Sequence, residues 1–159
     1  MKENISVIEK LRTEEKLDNV LTIEFPAVSK NEKLARNIVA SVLLEKNPRV
    51  EVLSDIKTAV SEAVTNSVVH GYNSRGGNCK IQVKLKNDYF YIKVEDYGVG
   101  ITDIEQARQP FFTTGKSGER SGMGFTVMET FMDEVIVTNQ NLGSGLVVEM
   151  VKVLEESEK

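Results

Sequence analysis

Two runs of alternating residues, Ile81 to Leu85 and Tyr89 to Val94, are separated by little more than the pair Asn87-Asp88, and this constrains the fold of the chain more than any other feature. Residues two apart on an extended strand share a face, and Asn or Asp accepts the left-handed backbone of a tight turn, so the two runs predict an antiparallel hairpin. Further strands are expected from Leu21 to Phe25, ended by Pro26, from Glu134 to Thr138, and from Gly145 to Val153. Helical spacing marks Leu34, Ile38, Val42 and Leu43, with Ser29 or Asn31 as cap and a stop near Asn47-Pro48. A second helix begins near Val52, places Leu53, Ile56, Val60, Ala63 and Val64 on one side, and meets stop signals at Gly71 and Asn73. Arg75 to Asn78 reads as a loop, and a third helix runs from Gly122 to Met132. Helices and strands in this mixed order predict an α+β, two-layer sandwich: a mixed, mostly antiparallel sheet covered on one face by helices.

The 159 residues fit one domain, and 40% hydrophobic with 28% charged residues is an ordinary globular balance. A formal charge of −4 disfavours broad attraction to a nucleic acid backbone. Cys79 is the sole cysteine and is expected on a strand, half-buried; one Cys and one His cannot build the usual structural zinc site. Residues 1–19, rich in Glu and Lys, read as an appendage, either a short helix or a loosely held arm, and 155–159 as a tail. Neither a leader nor a long apolar run is visible, so the expected location is the cytoplasm.

Three segments concentrate chemistry: Glu62-Ala-Val-Thr-Asn66-Ser-Val-Val-His70-Gly71, Asp96-Tyr-Gly98-Val-Gly100, and Ser121-Gly122-Met-Gly124-Phe125. Glu62 and Asn66, four apart on a helix, share a face beside the apolar stripe and so belong at the rim of a pocket. An Asn amide oxygen suits magnesium, and a Glu one turn away can accept a proton from an attacking hydroxyl. Taken alone, the same pair is more often a solvated stretch of helix. Asp96 follows a strand and precedes two glycines, which leaves the backbone free to approach a ligand and the carboxylate free to accept from an amine such as that of adenine. Taken alone, that box is more often a turn. Gly122 to Gly124 opens a helix, where exposed amides favour a phosphate, although glycines before helices are common. Between the boxes, Asp96 to Ser121 is dense in Gly, Thr, Pro and charge and reads as a lid. Gly115-Lys116-Ser117 is no P-loop, because Pro110 stands where the first glycine is required, and no segment completes the three-glycine dinucleotide fingerprint.

In this order, the three segments resemble the ATP site of the GHKL superfamily, shared by gyrase and histidine kinases. More narrowly, Val60 to Tyr72, Ala107-Arg-Gln-Pro110-Phe-Phe-Thr-Thr114 and Glu119-Arg120-Ser-Gly-Met-Gly124-Phe125 resemble the anti-sigma F family of spore-forming bacteria, over roughly residues 20 to 154. The resemblance implies a Bergerat-type ATP-binding fold and a double role. Such proteins bind a sporulation sigma factor and phosphorylate a serine of an anti-anti-sigma partner, using ATP and Mg2+ and leaving ADP. It implies Glu62 as general base, Asn66 as magnesium ligand and Asp96 as adenine contact. Gly98, Gly100, Gly122, Met123 and Gly124 would shape the pocket and receive phosphates. Arg120 would lie near the terminal phosphate, with Thr114 and Lys116 as further lid contacts. Arg36 matches a position used toward protein partners, though an ordinary surface Arg would look the same. A homodimer is implied, most simply through a sheet edge near the first strand.

His70 reads as a structural residue, since the chain lacks the helical hairpin on which histidine kinases carry their phosphorylated His. Two other functions stay open. One is a sister kinase acting on a stress-response sigma factor. The other is a module that binds ATP without catalysis, which the presence of both Glu62 and Asn66 disfavours.

Overall fold

The computed structural model describes residues 5–72, 76–109, 124–140 and 144–154. Five strands, β1 (Asn19–Pro26), β2 (Asn78–Lys86), β3 (Tyr89–Asp96), β4 (Glu134–Asn139) and β5 (Leu146–Val153), form one sheet in the order β1-β2-β3-β5-β4. All four pairings are antiparallel. The expected hairpin is present, with Lys86 opposite Tyr89 and Asn87 at φ 51°, a left-handed conformation that Asn adopts at small cost. The helices are α1 (Val7–Arg12), α2 (Lys30–Val42), α3 (Val50–Asn66), α4 (Ile104–Ala107) and α5 (Gly124–Phe131).

Strand alternation sorts the side chains between two faces. Ile81, Val83, Leu85, Phe90, Ile92, Val94, Val148 and Met150 point to one side and are buried against Ile56, Ala59, Val60, Ala63 and Val64 of α3 and Phe125 and Met128 of α5. Each large side chain of this kind contributes roughly 1.5–3 kcal/mol by leaving water. This is the two-layer α+β arrangement expected. Cys79 belongs to the same face and is fully buried rather than half-buried; burial pushes its thiol up to about 12, so it stays protonated.

The stripe of α2 departs from expectation. Leu34 is 53% exposed, and the buried positions are Ala35, Val39 and Ala40, followed by Leu43 in a short 3-10 turn (Leu43–Lys46). Leu43 is buried and Val42 packs against the core as expected, whereas Leu34 faces outward and Ala35, Val39 and Ala40 take the inner side, the alanines allowing close approach. Ser29 makes no side-chain capping bond; Asn31 instead donates backwards from Nδ2 to the Pro26 carbonyl, at 2.9 Å. α3 starts at Val50 and ends in a π-helical turn, Ser67–Gly71, closed by the Tyr72 amide donating to the Ser67 carbonyl at 3.0 Å.

The opposite sheet face carries α1. Ile8 and Leu11 are buried there against Tyr91 and Val151. A six-residue helix is marginal by itself, and this one is held at both ends. Ser6 and Glu9 form a reciprocal capping box, and the Glu134 carboxylate accepts from the Val7 amide at 3.1 Å. At the other end Lys84 Nζ donates to the Leu11 and Arg12 carbonyls at 2.8 and 3.0 Å. Arg12 then grips Glu149 through two nitrogens, at 2.9 and 2.6 Å, while the Tyr91 hydroxyl donates to the same carboxylate at 2.7 Å.

Candidate functional site

The helical turn separating Glu62 from Asn66 aligns both side chains toward the first residue of α5. A Cβ placed on Gly124 would sit 3.2 Å from Asn66 Oδ1 and 3.3 Å from Glu62 Oε2. Glycine therefore lets the start of α5 come against both polar groups, and the structure brings together three residues chosen from two separate segments. Buried contacts between α3 and α5, through Val60, Val64, Phe125 and Met128, hold this approach.

Further along α3, the π turn faces the end of β3. Asp96 is 2% exposed, and its Oδ1 accepts from the amides of Gly98 at 3.0 Å and Leu146 at 3.3 Å. Burial pushes the carboxyl above its usual range, and hydrogen bonds from the Gly98 amide, the Ser67 hydroxyl and the Leu146 amide hold it partly back. A desolvated carboxylate oriented by several donors is suited to select one further donor from a ligand. Gly98 packs directly on the Gly71 carbonyl, leaving no room for a side chain, and the Val99 amide donates to that same carbonyl at 2.9 Å. Gly100 takes φ 69° beside Asn139, whose Oδ1 accepts from the Ile101 amide at 3.0 Å.

Several contributors were not legible beforehand. Ser67, Gly71 and Leu146 build the Asp96 site, Gln140 donates to the Asp96 carbonyl at 3.2 Å, and Ser144 donates to the Gly98 carbonyl. Two of them act through backbone atoms and two come from the loop before β5, so residue type carried no signal; for Ser67 the available signal was a small polar residue directly after Asn66, which was not singled out. Within the expected lid, α4 forms behind its Asp103 cap. Thr114, Lys116, Arg120, Gly122 and Met123 lie outside the described residues. His70 is half-buried in the π turn.

Arg36 lines a groove of about 500 Å³ between α2 and α3 whose wall also includes Lys57, Ser61 and Glu62. Its guanidinium contacts the Glu32 carboxylate at 3.3 Å and the Ser61 hydroxyl at 3.5 Å. The residue expected to meet a partner and the residue expected to act as base thus open on one surface. No three His, Cys, Asp or Glu residues among those described gather as a metal cage. The donor set fits a cation held differently, by one Asn oxygen together with phosphate oxygens and water.

Residues 25–152 match the family described as the histidine kinase-like ATPase domain, and fold and site together define a protein of that class. Anti-sigma F factors of Bacillus licheniformis and Bacillus subtilis (strain 168) are each 45% identical over 142 residues, which is 89% of this chain and 97% of theirs. That of Clostridium kluyveri is 47% identical over 135 residues, 84% and 95% of the two chains. The chain belongs to the anti-sigma F factor family within that class. Solved structures agree on the fold. The RsbU and RsbW domains of a Mycobacterium tuberculosis protein match 89% of this chain and 33% of that one with a TM-score of 0.61 at 16% identity. The catalytic domain of histidine kinase ThkA matches 84% and 96% with a TM-score of 0.50 at 17% identity.

Proposed function

We propose that this chain is a Mg-ATP-dependent protein serine kinase that also holds a sporulation sigma factor inactive, and that its phosphoacceptor is a serine of an anti-anti-sigma partner. The observation that carries the reading is the convergence of Glu62 and Asn66 on Gly124. It supports a base and a metal ligand side by side at a helix start whose amides suit phosphate. Asp96 accepts a hydrogen bond from the adenine amine, and Asn66 would hold magnesium, which would bring positive charge to the phosphates. Glu62 accepts the serine proton as the serine oxygen bonds to the terminal phosphorus and ADP leaves. Arg120, with Thr114 and Lys116, contacts the phosphates from the lid, alongside the glycines at 98, 100, 122 and 124 and Met123.

The groove between α2 and α3 supports a shared partner surface, because an acceptor loop resting on Arg36 would end beside Glu62. Residues 20–154 form the kinase domain and work as a homodimer through the free edge of β1. No described helix is long and apolar enough to cross a membrane, and the proposed location is the cytoplasm.

The test is the intact mass of the anti-anti-sigma partner after incubation with the chain and Mg-ATP. Wild type should add one phosphate to a serine. Glu62→Ala should bind ATP normally and lose phosphotransfer by roughly a hundredfold to ten-thousandfold. Unchanged turnover in that variant removes Glu62 as the base; ATP binding without any phosphorylation by wild type leaves a binding module.

A further inference from the structure

We propose that Tyr72 is a positioning residue for the adenine contact, its hydroxyl fixing the backbone of the Asp-x-Gly-x-Gly turn so that Asp96 presents its carboxylate to the exocyclic amine. The proposal rests on the reading of Asp96 given above. Its own support is geometric and begins with the π turn. A π turn takes one more residue than an α turn, which rotates the chain leaving α3 and recurs at functional sites. Here the bond from the Tyr72 amide to the Ser67 carbonyl closes that turn, and it directs the phenol across to β2 and the end of β3.

The Tyr72 hydroxyl donates to the Asn78 carbonyl at 2.6 Å and accepts from the Tyr97 amide at 2.7 Å. Asn78 opens β2, and Tyr97 is the residue immediately after Asp96. One oxygen therefore joins three pieces of chain: the end of α3, the beginning of β2 and the turn that carries the carboxylate. The ring lies on Gly77, where any Cβ would overlap the aromatic carbons, so glycine is the floor on which the phenol rests. Burial pushes the phenol upward in pH, which keeps it a donor toward Asn78 throughout the neutral range.

The opposite side of the turn is tied separately, through Leu146, Gln140 and Ser144. Losing the Tyr72 hydroxyl would leave the turn attached on that side, and to Gly71 through the Val99 amide, but released at Tyr97. Asp96 would keep its bonds from Gly98, Ser67 and Leu146, but with the next residue's backbone no longer fixed its carboxylate would be held less closely to the position that meets the amine, while the phosphate end of the site around Glu62, Asn66 and Gly124 stays as it is.

Inosine triphosphate separates these ends, because it carries a carbonyl acceptor where ATP carries the exocyclic amine and so removes the donor at that position. Titration of Mg-ATP and Mg-ITP into wild type, Tyr72→Phe, Asp96→Asn and the double variant reads the effect directly. Tyr72→Phe should weaken ATP about tenfold, the scale of one good hydrogen bond, and leave ITP within about twofold. In the Asp96→Asn background the same change should add little. Equal losses for ATP and ITP, or full retention of ATP preference in Tyr72→Phe, would overturn the proposal while leaving Asp96 as the adenine contact. A wild type that binds both nucleotides equally removes that reading and this one together; binding of neither removes the nucleotide site itself. A measurement on the unmodified protein guards against a variant that does not fold. The Tyr97 amide, although its side chain is exposed, should exchange slowly with solvent, and rapid exchange there overturns the proposal without any substitution.

Discussion

Gly124 is the position where a single methyl group should separate nucleotide binding from folding. In Gly124→Ala the new carbon meets Asn66 and Glu62 at 3.2–3.3 Å, tighter than ordinary contact, and both side chains must give way. Helix propensity favours Ala over Gly by up to about 1 kcal/mol, so the variant should melt within a few degrees of wild type. Its affinity for Mg-ATP should nevertheless fall severalfold, which calorimetric titration would check. Asn66→Ala should weaken ATP binding in magnesium and change little in its absence, because only the metal-linked part of the affinity passes through the amide oxygen. These residues were legible because helical spacing and glycine placement have direct chemical meaning. The remainder of the Asp96 site was not, since a carboxylate held by the Leu146 amide depends on a backbone atom 50 positions away.

Among elements, α1 is anchored by charge, and its docking should therefore respond to pH. Burial pushes Glu149 up, but hydrogen bonds from Arg12 and Tyr91 outweigh it and hold the carboxyl below its usual range. A carboxyl depressed in the folded state gives up its proton more readily there than in the unfolded chain. Its stabilisation is complete above the ordinary glutamate value and is lost as pH falls through the depressed one. Thermal melts between pH 7 and 3 should show a steeper acid loss for wild type than for Glu149→Gln. Arg12→Ala leaves a nearly buried carboxylate with fewer donors and should cost about 2 kcal/mol at neutral pH, measurable by urea titration. The sequence foretold the α3 stripe and the hairpin, where apolar period and burial coincide. At α2 it was right for Val42 and Leu43 and misled at Leu34, which fits the period but is exposed while Ala35, Val39 and Ala40 take the buried side.

For the whole molecule, ligand binding and stability are one measurement. Mg-ATP at a hundred times its dissociation constant should stabilise the chain by about 2.7 kcal/mol, and for a domain of this size that raises Tm by roughly 5–10 °C. No shift would count against the nucleotide site as a whole. The class of fold followed from the order of helices and strands. The strand order did not, because nothing local indicates that β5 inserts between β3 and β4.

That insertion, and the clasp of Arg12 on Glu149, set a timetable for synthesis. The two residues are 137 positions apart, and the free edge of β3 waits for a strand that begins only at Leu146. A ribosome that has released β1 to β3 has made a half-sheet whose β3 edge is unpaired and an N-terminal helix that can meet Tyr91 and Lys84 but lacks Val151 and Glu149. The sheet can close only once β5 has emerged, so α1 is made long before the strand that completes its seat.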